Sequence, residues 1–406
     1  SIDVRDEYNR LFYSNGINQQ YALSIANGSA HNAWQLSGGF DKNLSVLDAG
    51  FDRLSLRVIN DSRLTKKLTL FTGVNFTWSR STSGKPDMGT ITQSGGGLPP
   101  YTRFVDDNGS PIPFQKDYRA AFVNEMAERY PDLLDWNYYP TEDYLHDRST
   151  TTIQNLIGNL GINYRIFNWL SFDAKYQYQR QYTDENTLRD ANSYYARNLV
   201  NSYYQPDEES FAIPQGGILN VSDEEVNAQS VRAQLNVDQK WGNHAIAAIA
   251  GAEVRSIYTN GKGYRQYGYD DDILVAFPVN YNVNYTSLVT GRQSLIPNSD
   301  SFTRLSNRYV SVYGNGSYTY KERYVLSLSA RRDASNIFGV TTNNKWTPLW
   351  SAGLAWELSK ENFYRSATLP YLKLRATYGF SGNVDPSLTA VTTIVYSNVS
   401  PYTMSP

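Results

Sequence analysis

Two long runs of alternating polar and apolar residues, joined by a short polar turn, limit most strongly what this chain can fold into. They are residues 309–320 and 324–332, and the turn is Lys321-Glu322-Arg323. Alternate side chains of a β-strand point to opposite faces, so each run has one apolar and one polar face. Strands of soluble sandwiches usually last about five or six residues. These runs are about twice as long, which favours a sheet that crosses a membrane.

Composition indicates one extended architecture. No Pro/Ser-rich linker, charge block or shift in composition divides the 406 residues into domains. Lys and Arg number 37 against 39 Asp and Glu, and a net charge of -2 gives no reason to expect nucleic acid as a partner. The chain has no cysteine, which excludes a disulfide scaffold and thiolate metal sites and leaves the cellular compartment open.

Hydropathy argues against helical membrane spans. The mean hydropathy is -0.52, and the most apolar run, residues 245–252, is far short of the ~20 residues that a spanning helix needs. A barrel strand faces lipid with only every second residue, so a polar average does not exclude a membrane barrel. The 33 tyrosines suit aromatic girdles at membrane interfaces or sugar-stacking loops. Ser1 to Arg10 do not resemble a signal peptide, which predicts a mature or internal start.

Period-two alternation predicts about thirteen strands. They are residues 19–27, 32–41, 51–60, 67–80, 150–165, 169–182, 226–239, 244–258, 309–320, 324–332, 346–358 and 371–381, with a partial strand from about Val391. A short helix is predicted at residues 117–130, and residues 359–363 look like the capped start of another.

The connections between these strands alternate in length. Three of them are long, residues 81–147, 183–225 and 259–307, and every second connection is short. Transmembrane barrels have short periplasmic turns and long extracellular loops, whereas a soluble sandwich has no reason to put its long loops at one end. The predicted fold is therefore all-β, a part of a large antiparallel transmembrane β-barrel. An odd number of strands leaves open edges, so the remaining wall must come from a larger barrel or another chain.

Five motifs, in family order, resemble the barrel of SusC/RagA-type TonB-dependent transporters of the Bacteroidota outer membrane. They are residues 19–25 with Gly38-Gly39-Phe40, residues 51–60, residues 324–335 with Phe338-Gly339, Trp356 with Glu361-Asn362-Phe363, and residues 372–379 with Gly382-Asn383. Two positions depart from the family pattern. Ala334 replaces the usual Gly, and Leu349-Trp350-Ser351 replaces aromatic-Pro-Ser.

The resemblance implies a fold, a location and a function. Family members carry a signal peptide, a TonB-contacting segment, a plug domain and a 22-stranded barrel. Residues 1–406 would be a partial barrel without the plug and the C-terminal strands. The implied function is TonB-dependent import of a glycan oligosaccharide, or of a peptide, with a SusD-like surface lipoprotein. A dimer of transporter–lipoprotein pairs, contact with outer-membrane lipid, no cofactor and no enzymatic activity are further expectations.

Tyrosine pairs and an aspartate run are the candidate site residues. Tyr194, Tyr195, Tyr203 and Tyr204 could stack on a sugar ring, or they could pack the loop or join an aromatic girdle. Asp270, Asp271 and Asp272 could hold calcium, but without EF-hand spacing a solvated turn is the alternative. The glycines at 95–97 lack the strand, helix and Lys-Ser/Thr of a phosphate loop.

Three other functions stay open from the sequence. A passive pore or an adhesin barrel would lack an upstream plug segment, and an outer-membrane hydrolase would need an Asp/His cluster at a loop rim. The chain has only three histidines, far apart in sequence. A soluble β-solenoid would need a fixed repeat, and the sequence shows none.

Overall fold

The computed structural model describes residues 3–94, 96–336 and 348–382, which form an antiparallel β architecture. Strands in this part of the chain are β1 (Ile17–Gly28), β2 (Asn32–Leu44), β3 (Gly50–Arg63), β4 (Leu68–Thr82), β5 (Asp147–Phe167), β6 (Leu170–Arg189), β7 (Tyr204–Gln205), β8 (Ser210–Phe211), β9 (Gly217–Trp241), β10 (His244–Asp270), β11 (Val275–Phe277), β12 (Asn284–Thr286), β13 (Gln293–Leu295), β14 (Ser301–Tyr320), β15 (Tyr324–Ser335), β16 (Pro348–Trp356) and β17 (Leu374–Phe380).

One 13-stranded sheet contains the long strands. Twelve of them pair antiparallel in chain order, from β1 through β6, then β9, β10 and β14 to β17, while β11 adds to β10. The predicted antiparallel sheet is confirmed. Its thirteenth member is the short β11, whereas the partial strand predicted near Val391 lies outside the described residues. The pairs β7–β8 and β12–β13 are small and belong to the loops.

Strands on either side of two long loops extend further than the sequence predicts. The β6–β9 ladder continues through Tyr182↔Glu225 and Asp184↔Asp223 to Arg189, and β10 and β14 stay paired as far as Gly263↔Ser301. The predicted loops 183–225 and 259–307 therefore shorten to residues 190–216 and 271–300, and the loop predicted at 81–147 spans residues 83–146. Neighbouring backbones impose this pairing even where side chains no longer alternate, because strand preference depends on context.

Four α-helices belong to the described part of the chain: α1 (Val4–Phe12), α2 (Ala120–Arg129), α3 (Asp143–His146) and α4 (Tyr194–Ser202). The predicted helix at 117–130 is confirmed by α2, and the one predicted after residue 358 is a single 3₁₀ turn, Leu358–Lys360. Asp3 caps α1 by accepting a hydrogen bond from the Arg5 backbone. Within the described ranges, no helix is both long enough and apolar enough to span a membrane.

One face of the sheet is a continuous apolar band. The pairing register aligns apolar side chains across strands, in rows such as Leu36–Val58–Val74 and Val231–Val254–Val310. The six are 37–53% exposed, so no other element of the described chain covers them. Burial in lipid rather than in a protein core accounts for such a face.

The apolar band crosses the sheet at an angle. On β4 the band ends at Arg80, which the pairing register aligns with Phe302 of β14. On β15 the band ends at Arg332, which the register aligns with Val312 of β14. Phe302 and Val312 are ten positions apart. With ~3.3 Å per residue and ~4.8 Å between strands, this shift over six strand steps is an inclination of about 50°. Strands of membrane barrels tilt by ~35–45°, so the band follows the membrane plane.

Connections at the two ends of the sheet differ in length. The short-turn end carries residues 29–31, 64–67, 168–169, 242–243 and 321–323, while the long-loop end carries residues 83–146, 190–216 and 271–300. Two described connections depart from this rule. Residues 45–49, between β2 and β3, form a short connection at the long-loop end, and residues 357–373, between β16 and β17, form a longer one at the short-turn end.

Aromatic residues line the short-turn end of the apolar face. Stacked pairs follow one another along it, with ring centroids 5.4–6.4 Å apart: Phe167 and Trp169, Trp241 and His244, Tyr320 and Tyr324, and Tyr324 and Trp356. Such a row is typical of the girdle at a membrane interface, where a ring has one apolar and one wet side. This aromatic row marks the boundary of the apolar band at the short-turn end.

Candidate functional site

Most buried apolar side chains belong to the long-loop end, not to the sheet. A first cluster combines α1, the 83–146 loop and α4, and stacked or edge-on rings connect Tyr8, Phe12, Phe104 and Phe114 at 4.7–5.4 Å. The Tyr8 hydroxyl donates to the Pro86 carbonyl at 2.7 Å, and burial raises the pKa of this phenol to about 12. The loops and α1 therefore form a packed layer, called here the loop layer.

Helix α4 joins the first long loop to the second. The Tyr194 hydroxyl donates to Asp117 Oδ2 at 2.8 Å, and the Tyr194 backbone N–H donates to Asp143 Oδ1 at 2.5 Å. Burial raises the pKa of the Tyr194 phenol, and the hydrogen bond to Asp117 raises it further. Burial also raises the pKa of the Asp143 carboxyl, although the bond from Tyr194 opposes this effect. Ser193 Oγ caps the helix at the Ala196 N–H.

A second cluster fixes the other end of α4 to the third long loop. The Tyr203 hydroxyl donates to the Leu295 carbonyl at 2.7 Å, and the Tyr204 ring packs on Phe211 with centroids 4.9 Å apart. Asn201 accepts from the Leu134 N–H and donates to its carbonyl, at 2.9 and 2.8 Å. All three long loops therefore meet at α4.

Of the four tyrosines predicted to contact substrate, three lie inside the loop layer. Tyr194, Tyr203 and Tyr204 are at most 7% exposed, so in this structure they hold loops together, which is the packing alternative. Tyr195 is 37% exposed. The Arg189 guanidinium lies 4.4 Å from its ring centroid and is itself paired with Asp147 at 3.1 Å. Of the four tyrosines, the structure thus exposes only Tyr195, and a guanidinium group lies against the face of its ring.

The aspartate run forms the turn that ends β10. Asp270 Oδ1 accepts the backbone N–H groups of Asp272 and Ile273 at 2.9 and 3.3 Å, while Asp271 lies 3.4 Å from Arg148. Among residues 3–94, 96–336 and 348–382, no three Asp, Glu or His side chains converge as metal ligands. The geometry favours the turn interpretation.

Polar side chains form a hydrogen-bonded ladder across the inner face of the sheet, opposite the apolar band. Asp173 accepts from Asn163 at 2.9 Å and from Asn236, and the ladder continues through Gln234 to Arg232. At its far end Arg232 and Gln234 both bond the Tyr313 hydroxyl, which donates to Gln234 at 2.8 Å. Arg331 repeats the pattern with Asp333 and Ser311 at 2.8 and 3.0 Å.

A depression of about 540 Å³ lies beside this ladder. Charged groups of both signs line it, namely Asp61, Asp173, Lys175, Arg232 and Glu253. Mixed charge and amide groups suit a solute with many hydrogen-bonding groups better than an apolar one.

Sequence reasoning missed the contacts that join the loops. His146 Nδ1 lies 2.9 Å from Asp190 Oδ2, and Trp136 Nε1 donates to Asn198 Oδ1 at 2.8 Å. These partners are 44 and 62 positions apart, and no local pattern marks them.

Tilted antiparallel strands, an apolar outer band, a polar inner face and long loops at one end define the class: the wall of a large transmembrane β-barrel. No protein-family model matches the chain. "TonB-dependent receptor P3" of Formosa agariphila is 24% identical over 403 residues, which cover 97% of this chain and 35% of the relative. "TonB-dependent receptor SusC" of Bacteroides thetaiotaomicron is 34% identical over 77 residues, 19% of this chain and 8% of the relative.

A solved structure, the RagAB peptide transporter, superimposes with a TM-score of 0.71 at 16% identity, covering 97% of this chain and 40% of that one. Relatives named as TonB-dependent receptors, together with the fold, support a TonB-dependent transporter of the SusC/RagA type, located in the bacterial outer membrane. The motif-based prediction is confirmed to this extent. The chain spans about a third of the length of the curated relatives that it matches over nearly its whole length.

Proposed function

We propose that this segment forms part of the wall and the outer surface of an importer that takes up a nutrient by TonB-dependent transport. The observation that carries the proposal is the loop layer, in which three long loops share a core above a polar inner wall. Loops with their own core can present a fixed surface to a ligand, since their side chains are already ordered before binding.

The substrate that we propose is a glycan oligosaccharide, with a peptide as the alternative. Tyr195 offers an exposed ring for the apolar face of a sugar, and the depression lined by Asp173, Lys175 and Arg232 offers donors and acceptors for hydroxyl or peptide groups. Peptides are included in the test because one structural neighbour is named as a peptide transporter.

The partners belong to the same proposal. A SusD-like lipoprotein would dock on the outer surface of the loop layer, and the TonB complex would act through other parts of the full-length protein. A pair of such transporter–lipoprotein complexes would form the dimer. Release of substrate past the inner wall would then depend on force from TonB, which a passive pore does not need.

Uptake by the full-length protein in its source bacterium tests the proposal. Cells with and without the gene receive fluorescent oligosaccharide and peptide libraries, and each experiment is repeated with TonB depleted and with the gene of the proposed SusD-like lipoprotein deleted. We expect uptake that needs the gene, TonB and the lipoprotein, and that favours oligosaccharides. Uptake that persists without TonB would indicate a passive pore. Surface binding without uptake would indicate an adhesin, and cleaved substrate outside the cells would indicate a hydrolase.

A further inference from the structure

A groove opens on the lipid-facing side of the sheet, at its short-turn end. It measures about 800 Å³ and is lined by residues of β14 to β17. On the lipid face these are Tyr318, Tyr320, Tyr324, Leu326, Leu354, Trp356, Leu374 and Ala376, and Val325, Ala355 and Arg375 also border the groove. Leu354 and Leu374 are 64% and 52% exposed, so nothing in the described part of the chain fills it. We call it the interface groove.

The interface groove lies where the aromatic girdle meets the apolar band. Tyr324 stacks on Tyr320 and Trp356 at one end, with ring centroids 6.4 and 6.3 Å away. At the other end Leu326 and Leu354 pair in register and lead into the apolar band. An occupant must therefore be apolar along its length and polar at the girdle, which is the shape of a membrane lipid.

The connection of residues 357–373 borders this corner and does not resemble the other short turns. Its apolar side chains Phe363, Leu369 and Tyr371 are 58–68% exposed, and the Phe363 ring meets Trp356 edge-on at 6.4 Å. Exposed rings and leucines of this kind enter the headgroup region of a bilayer. The longer connection thus extends the apolar boundary of the groove toward the membrane surface.

Charge at the same corner is positive. The two connections, 321–323 and 357–373, hold five basic residues (Lys321, Arg323, Lys360, Arg365 and Lys373) against three acidic ones (Glu322, Glu357 and Glu361). The acids are engaged: Arg323 pairs with Glu361 at 2.8 Å, and Glu357 with Lys373 at 3.1 Å. Lys321 makes no ion pair with the described residues, and its ammonium group lies 5.3 Å from the Tyr320 ring centroid, beside the groove. An anionic group bound here could pair with the Lys321 ammonium group.

We propose that the interface groove binds one glycerophospholipid of the inner leaflet. An acyl chain lies along Leu326, Leu354 and Leu374, and the phosphate meets the Lys321 ammonium group at the girdle. The site belongs to the outer-membrane wall and does not depend on whether the protein imports a nutrient. A bound lipid would cover the apolar surface between β14 and β17 and anchor the 357–373 connection.

Lipid retained by the full-length protein tests this site. The protein is purified from outer membranes in mild detergent, and bound phospholipid is measured by native mass spectrometry, with heat-modifiable migration as the check on folding. Ala376→Trp fills the groove, and Ala252→Trp makes the same change on the lipid face of β10, away from the groove. We expect Ala376→Trp to lower retained phospholipid at least fivefold and Ala252→Trp to leave it unchanged.

A second pair of variants keeps the test decisive if Ala376→Trp fails to assemble. Leu354→Ala removes a groove side chain without adding bulk, and Leu235→Ala does the same on β9. We expect lipid loss only for Leu354→Ala. Equal retention in both members of each pair, equal loss in both, detergent as the sole occupant, or a protein displaced from the groove would each overturn the proposal.

The charge at the girdle is tested separately in nanodiscs that contain phosphatidylglycerol and phosphatidylcholine. The wild-type protein is expected to retain the anionic lipid at least threefold over the zwitterionic one. Lys321→Gln should remove this preference, whereas Lys66→Gln, on another short turn, should not. A preference that survives Lys321→Gln would overturn the role given to this ammonium group.

Discussion

The Tyr194 hydroxyl donates a hydrogen bond to Asp117 Oδ2 at 2.8 Å, across 77 positions of sequence. Asn198, one turn further along α4, donates to the same carboxylate oxygen at 3.3 Å and accepts from the Trp136 indole at 2.8 Å. One carboxylate therefore holds two positions of α4, and through α4 it holds the first long loop against the second.

Removing the Tyr194 hydroxyl should loosen this joint. Tyr194→Phe keeps the buried ring and leaves Asp117 without one of its two donors, which should cost about 0.5–1.5 kcal/mol because water can still solvate this exposed carboxylate. We expect faster hydrogen exchange in residues 190–205 of the full-length protein. Tyr101→Phe, which removes the hydroxyl of a 74% exposed ring in the first long loop, is the control. If both variants exchange alike, the Tyr194–Asp117 bond does not hold the loops.

Replacing the exposed ring of Tyr195 should weaken substrate binding. Tyr195→Ala removes a surface that can stack on a sugar, and aromatic stacking contributes about 0.5–1.5 kcal/mol, so affinity for the oligosaccharide should fall about two- to tenfold. Binding is measured by calorimetry on the purified transporter. Tyr101→Ala, an exposed ring of the first long loop, is the matched control. An unchanged affinity in Tyr195→Ala would remove this residue from the site.

The sequence predicts the sheet well where the membrane determines the pattern, and less well above it. In the band, lipid on one side and water on the other force alternation, as at Val231, Ala233 and Leu235. Above the band both faces of a strand are wet, and residues 183–189 read Thr-Asp-Glu-Asn-Thr-Leu-Arg without alternation. They remain a strand because Asp184 and Asp223 are backbone partners in a ladder that began lower down.

The candidate site was harder to predict for a related reason. Tyr194 and Tyr195 are neighbours with similar local sequence, yet one is 4% exposed and the other 37%. Their difference comes from the N-cap at Ser193, which starts α4 and turns adjacent side chains to different sides of the helix. Which side meets the loop layer depends on Asp117 and Asp143, more than 50 positions away.

Gly251 on β10 leaves room for the Tyr313 ring at the end of the inner ladder. A Cβ atom at this position would lie 2.6 Å from the Tyr313 hydroxyl oxygen and 2.8 Å from the Ala233 carbonyl oxygen. Gly251→Ala should displace Tyr313 from Arg232 and Gln234 and lower the free energy of unfolding by about 1–3 kcal/mol, the usual effect of overpacking. The measurement is the temperature at which the full-length barrel loses its folded migration in SDS gels.

The control for this change is another glycine of the same sheet. At Gly158 an added Cβ meets nothing within 4 Å, because the residue lies on the lipid face of β5. Gly158→Ala should leave the transition temperature where it is. A shift of the same size in both variants would show a general effect of replacing strand glycines and not the loss of the Tyr313 contacts.

Glu361 should make the 357–373 connection sensitive to acid. Its carboxylate accepts from the Tyr324 hydroxyl, the Trp356 indole and the Arg323 guanidinium at 2.6, 3.0 and 2.8 Å, and these bonds, that of Tyr324 foremost, hold the pKa of the carboxyl below its ordinary value of 4.5. Because the pKa of the Glu361 carboxyl is lower in the folded state, its hydrogen bonds stabilise the fold fully above pH 4.5. This stabilisation is lost as the pH falls through the folded-state pKa. Hydrogen exchange of residues 357–373, corrected for the intrinsic effect of pH, should therefore stay slow from pH 7 to pH 5 and become faster as the pH falls below 4.5. Glu361→Gln should show fast exchange already at pH 7 and a smaller acid response, the remainder coming from Glu357, whose pKa the Lys373 ammonium group lowers. Glu322→Gln, with the side chain 84% exposed, should behave as the wild type, and an unchanged acid response in Glu361→Gln would place the sensitive group elsewhere.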